Sequence, residues 1–136
     1  MKVLLSIKPE YVEEIIKGNK KFEYRKRIFK KDVDSVVIYC TMPVGKIIGE
    51  FTIDTIINDS PKKIWNMTSS YSGISRDSFL DYFSGKSDGF AIKIKDFIEY
   101  ENPINPREID NQFIAPQSYK YINNEAEYNS KVANVL

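Results

Sequence analysis

The stretch Lys46–Ile57 alternates along its length, with Phe51 and Ile53 set against Glu50, Thr52 and Asp54, and a period of two puts these sets on opposite faces of a strand. Phe22 and Tyr24 alternate with Lys21, Glu23 and Arg25, and Phe90, Ile92 and Ile94 with Ala91, Lys93 and Lys95. Val36–Cys40 is a short unbroken apolar run of the kind found in a strand buried on both sides. Residues 3–7 open the chain as a further strand, and Ser118–Ile122 supplies the last. Strands therefore outnumber helices without alternating regularly with them, which disfavours a doubly wound parallel sheet. The pattern predicts an α+β fold built on a small, mostly antiparallel β-barrel with short helices across its openings.

Three helices are expected. Pro9 suits a first helical position, and Tyr11, Val12, Ile15 and Ile16 fall on one face of a helix running to about Lys17, where Gly18 stops it. Ser60-Pro61 and Ser75 begin two more, each with a hydroxyl able to cap. Asn102–Asp110, with two prolines, reads as a loop. Phe22, Phe51, Phe79 and Phe90 are expected in the core, and Trp65 against it. The domain is expected to span residues 1–122, with 123–136 as a polar C-terminal tail.

Composition removes several chemistries. The chain has no histidine, so Ser-His and Cys-His nucleophiles and histidine general bases are excluded. Its lone Cys40 leaves no zinc site and no internal disulfide. No apolar run is long enough to span a bilayer, and Met1–Ile7 lacks the pattern of a secretory signal, so a cytoplasmic location is expected. Any catalysis must use carboxylates, Lys, Arg, Tyr or hydroxyls, or a metal held by oxygens.

Charge is unevenly spread. Residues 1–50 carry 11 Lys and Arg against 7 Asp and Glu, whereas residues 51–136 carry 9 against 12. Between Lys17 and Lys31, eight basic residues face only Glu23. Such a segment suits a polyanion, and it equally suits a solvated face with no partner.

The most specific stretch is Leu5-Ser6-Ile7-Lys8-Pro9-Glu10-Tyr11, followed by Gly18-Asn19-Lys20-Lys21-Phe22-Glu23-Tyr24-Arg25. With its strand, a helix opened near a proline, and then G-x-K-x-x-E-x-R, it resembles the ASCH domain of the PUA-like superfamily. Ile47-Ile48-Gly49-Glu50-Phe51, Tyr71-Ser72-Gly73-Ile74 and Pro116-Gln117-Ser118-Tyr119 extend the resemblance across residues 3–122. The resemblance implies a PUA-like barrel with a cleft beside the first helix, and a role in handling RNA or modified nucleotides.

Physical chemistry gives that cleft a content. Lys8 lies where helix N–H groups are exposed and an anion is welcome. Lys20 offers a point charge and Arg25 a bidentate fork for phosphate or a base edge, while Glu23, on the Arg25 side of the strand, can accept from a base amine. Tyr39, Tyr71 and Tyr119 adjoin motif segments and are stacking candidates, and Ser72 and Gln117 complete the candidate nucleic-acid-binding set. No catalytic residue, resident metal or cofactor is assigned, and single-stranded RNA is the favoured partner.

The resemblance also raises enzymatic alternatives. Some ASCH-like amidohydrolases act on acylated cytidine through a lysine, a threonine three residues later and a glutamate in a later loop. Here Lys20 is kept, Glu23 stands at the threonine position, and the later loop offers Ser72 and Gly73, which puts that chemistry in doubt. Ribonuclease activity is the other alternative, with Glu23, Glu50 and Asp54 as oxygen ligands for a divalent ion.

Overall fold

A computed structural model describes residues 1–133. The chain forms two compact units, one from residues 1–9, 29–52 and 96 onward, the other from residues 10–28 and 53–95.

The first unit is organised by β1 (Lys2–Ile7) and β3 (Ser35–Cys40), which pair in parallel from Lys2 opposite Ser35 to Ile7 opposite Cys40. β6 (Tyr119–Tyr121) joins the other side of β1 antiparallel. β4 (Lys46–Asp59) pairs antiparallel with β3, and the register skips Ile48 where Ile38 faces Gly49 and Tyr39 faces Ile47. With the later part of β5 (Gly89–Ile104), the order here is β5-β4-β3-β1-β6. Val36, Val37 and Ile38 are fully buried, as an unbroken apolar run requires.

Residues 125–133, within the expected polar tail, form a helix, α4 (Glu125–Ala133). Its Tyr128 and Val132, four apart and so on one face, are buried with Leu4, Val37, Tyr39, Ile47, Tyr100 and Ile104. The Tyr100 and Tyr128 hydroxyls bond one another inside that cluster. Burial pushes both phenols well above their ordinary pKa.

In the second unit α1 (Pro9–Ile16) buries Val12 and Ile15, while Ile16, expected on the same face, is 40% exposed. β2 (Phe22–Arg25) pairs antiparallel with the early part of β5, Phe22 opposite Lys93 and Arg25 opposite Phe90, and the order is β2-β5-β4. Ser60 caps α2 (Pro61–Thr68) by accepting from Lys63 N, and Ser75 caps α3 (Arg76–Tyr82) by accepting from Ser78 N. Phe22, Tyr24, Ile64, Phe79, Phe83 and Ala91 form the core, with Trp65 packed on Phe79 at 4.9 Å between ring centroids. β5 runs longer than its alternation suggested, through residues 102–104 of the expected loop. No helix among the described residues is long and apolar enough to cross a membrane.

Two glycines answer to different constraints. Gly49 lies against β5, and a Cβ there would fall 2.4 Å from the Ile98 carbonyl oxygen. Gly18 has φ +82° and open space around it. Gly49→Ala is therefore expected to destabilise the chain by about 1–3 kcal/mol through overpacking against backbone. Gly18→Ala should lose about 1–2 kcal/mol from its left-handed backbone alone. Urea unfolding checks both, and Gly49→Ala as stable as the parent would contradict the close approach.

Candidate functional site

The turn after α1 delivers Lys20. Gly18 reverses the chain in the left-handed conformation, and the Glu14 carbonyl then accepts from both Asn19 N (3.0 Å) and Lys20 N (3.1 Å). Lys21 carries the chain into β2 by donating its N–H to the Tyr71 carbonyl (2.9 Å), and its own carbonyl accepts from Ile94 N (2.9 Å). The Lys20 side chain, expected to offer a point charge in the cleft, is 2% exposed. Its Nζ donates to the backbone carbonyl of Ser72 at 2.9 Å. The ammonium also lies 4.6 Å from the ring centre of Tyr24 and 5.4 Å from that of Tyr11, where ring faces offer partial negative charge. Gly73 (φ +65°) closes on the same side chain: a Cβ there would come within 2.3 Å of Lys20 Cβ. The lysine stem therefore fits only beneath a glycine.

Glu23 is 6% exposed, and its Oε2 is buried without a hydrogen-bond partner. A carboxylate oxygen in that condition is costly, and in a native fold it calls for a donor from elsewhere. Burial lowers the Lys20 pKa from its ordinary value, and the Glu23 charge partly opposes that fall. The Tyr24 hydroxyl meets Thr68 Oγ1 at 2.7 Å. Since the Thr68 proton goes to the Ile64 carbonyl (2.7 Å), Tyr24 is the donor. Burial, with a smaller contribution from the Glu23 charge, pushes Tyr24 up to about 12 despite the Thr68 bond. Tyr11 and Tyr82 are also raised, first by burial and in part by Glu23. One carboxylate thus acts on a lysine and three phenols.

Of the expected site residues, Lys20, Glu23 and Ser72 come together, with Arg25 two positions along β2 from Glu23 and half-buried. Ser72 contributes its carbonyl, while its hydroxyl donates to the Ile74 carbonyl (3.0 Å). Lys8, Tyr39, Gln117 and Tyr119 belong to the first unit. There Lys8 and Gln117 are exposed, Tyr39 is buried with its ring 5.1 Å from Phe113, and Tyr119 packs edge-on against Phe29 and Tyr121. Glu50 is held by Lys2 at 2.8 Å and Asp54 by Lys93 at 3.5 Å. Among the described residues no group of three or more carboxylates or thiolates is placed to hold a metal ion. The sequence reading missed Tyr11, Tyr24 and Gly73 as neighbours of Lys20, although all three lie in the segments that carry the resemblance.

The hydroxyls present do not reproduce a lysine-activated nucleophile. Thr68 and Ser72 both donate to backbone carbonyls, and Lys20 donates to a carbonyl rather than to a hydroxyl.

The depressed Lys20 pKa has a sign in stability. Between its folded value and the 10.5 of an ordinary lysine, the unfolded chain binds more protons, so stability rises with pH across that window. Tyr24 runs the other way, losing stability as pH climbs from 10 toward 12. Subtracting the urea-unfolding stability of Lys20→Met from that of the parent cancels the tyrosine, and the difference should grow in favour of the parent as pH rises. In the same protein, Glu23→Gln should move the Lys20 titration, followed by the 13Cε shift, further down. An upward move would place Glu23 outside the field of Lys20.

The ASCH domain model matches residues 5–109. The ASCH domain-containing ribonuclease of Zymomonas mobilis is 28% identical over 129 residues, covering 90% of this chain and 84% of that protein. The crystal structure of ASCH from Zymomonas mobilis superposes with a TM-score of 0.90 at 27% identity, over 99% of this chain and 96% of that one. The N-terminal domain of Staphylothermus marinus McrB shares the fold alone, with a TM-score of 0.58 at 13% identity over 98% of this chain and 92% of that one. The matched span takes in α1, the Gly18–Arg25 segment and the loop that closes on Lys20, and the fold is α+β and PUA-like. The chain belongs to the ASCH domain family.

Proposed function

We propose that this ASCH domain acts on single-stranded RNA, engaging it at Lys20 and Glu23 and cleaving it there by attack of a ribose 2′-hydroxyl on the adjacent phosphate. The observation that carries this reading is the buried, unpartnered Oε2 of Glu23 beside a buried lysine. The ribonuclease name of the Zymomonas relative supports the same substrate class.

The chemistry follows from the two groups. Glu23 Oε2 takes the 2′-hydroxyl proton, and the resulting alkoxide attacks phosphorus. The 5′-oxygen leaves with a proton from the Lys20 ammonium, whose lowered pKa makes that transfer less uphill. Arg25 supplies a guanidinium fork for the phosphate oxygens. Histidine, the usual agent of this acid and base work, is not needed. In the conformation described, Ser72 and Gly73 close over Lys20, so RNA displaces the Ser72 contact while the backbone bond from Lys21 N to the Tyr71 carbonyl keeps Tyr71 in place. In the first unit the buried Tyr39 is left out of stacking. A cytoplasmic location is part of the same proposal.

A labelled single-stranded RNA and the DNA of the same sequence test the reading. RNA should be cut to 2′,3′-cyclic phosphate ends and DNA left intact. Glu23→Gln should lower the cleavage rate by about 10²–10⁴-fold, the usual contribution of a general base, while RNA binding stays close to the parent's. Lys20→Gln should lower both, and Lys62→Ala, at an exposed position of α2, neither. Cleavage by Glu23→Gln at the parent rate would remove Glu23 from the chemistry. RNA bound through Lys20 and never cut would reduce the activity to binding.

A further inference from the structure

We propose that Tyr71 and Lys21, with the cavity beside them, form a second nucleotide subsite that takes an unpaired base next to the nucleotide at Lys20 and Glu23. This inference rests on the RNA-directed reading above. It starts from an oddity of burial: Tyr71 is 48% exposed, on the loop whose next residue holds Lys20. A large aromatic left in water on a well-fixed loop has area to give to a ligand.

The loop is anchored at Tyr71. The Tyr71 carbonyl accepts from Lys21 N at 2.9 Å, and the adjacent Ser72 carbonyl accepts from Lys20 Nζ. The Lys21 ammonium lies 4.3 Å from the centre of the Tyr71 ring. An open cavity of about 460 Å³ is bordered by Asn19, Ser70, Tyr71, Gly73, Ile74 and Ser75, within the roughly 300–1,000 Å³ of small-ligand sites. Its polar atoms are amides and hydroxyls, suited to a base edge. Glu14 also borders it, and Asn19 Nδ2 donates to that carboxylate at 2.9 Å. The carboxylate repels a phosphate from the cavity, so the phosphate goes to the Lys21 side and the base to Tyr71. The Lys21 ammonium lies over one face of the Tyr71 ring, so the base takes the other; aromatic stacking beside a cation holds single-stranded nucleic acid without sequence reading, because every base has a π-face. Lys20 and Lys21 are consecutive in sequence, which suits two adjacent nucleotides of one strand.

Fluorescence anisotropy with a labelled 2′-fluoro RNA octamer, which lacks the attacking hydroxyl, measures binding without turnover. Tyr71→Leu should weaken binding by about tenfold or more, the scale of one lost stacked base, with its melting temperature unchanged. Tyr71→Phe should restore it, since the ring and not the hydroxyl is used. A second measurement needs no substitution in the protein: octamers with one abasic position each should include one whose loss matches that of Tyr71→Leu and vanishes in that variant. Parent-like affinity for Tyr71→Leu while Lys20→Gln is weakened would overturn the subsite and leave the RNA-directed reading standing. Parent-like affinity for both would overturn the two together.

Discussion

An ammonium group withdrawn from water at the entrance to β2 sets the terms for everything around it. Lys20 Nζ has one backbone carbonyl and two aromatic faces to replace its hydration, and none of these is a full negative charge. Such a group is tolerable only where its stem is packed tightly and its head is fully occupied. The turn at Gly18, the backbone pairing of Lys21 with Tyr71, and the glycine at position 73 are the means by which the second unit arranges this. Each is a backbone device, and together they make the position of Lys20 insensitive to the surface around it.

Glu23 completes the electrostatics without completing the hydrogen bonding. Its charge reaches Lys20, Tyr11, Tyr24 and Tyr82, yet one of its oxygens has nothing to accept from. Folding alone rarely leaves a buried carboxylate oxygen in that state. The oxygen stays buried and unpartnered, and burial holds the three phenols that feel its charge in their neutral form.

Much of this fold was legible because its signals are local. Period-two alternation marked β2, β4 and β5, Pro9 and Gly18 bracketed α1, and two serines marked the helix starts that they cap. What escaped depends on distance in sequence. Ile16 has the right spacing for the buried face of α1 and is exposed, because burial depends on what packs there. Tyr128 and Val132 sit in a polar stretch whose mean hydropathy hides them. The site was legible in part: Lys20 and Glu23 are named by the G-x-K-x-x-E spacing, but no local pattern says that the lysine is buried. The neighbours that make it so are Tyr11, Tyr24 and the residues 68–73, contributed by separate elements. Tyr39 shows the converse, a stacking candidate beside a motif segment whose side chain packs in a core.

The two units differ in when their parts exist. Every residue of the second unit has been made once synthesis passes Lys95. The first unit begins with β1, yet two of its buried side chains, Tyr128 and Val132, lie on α4 near the other end of the sequence. Domains are generally completed from the N-terminal side as a chain is made, but here the earliest strand waits for the last helix. Until residue 132 has been added, Leu4, Val37 and Ile47 lack partners that bury them, whereas the pocket around Lys20 already has all of its own.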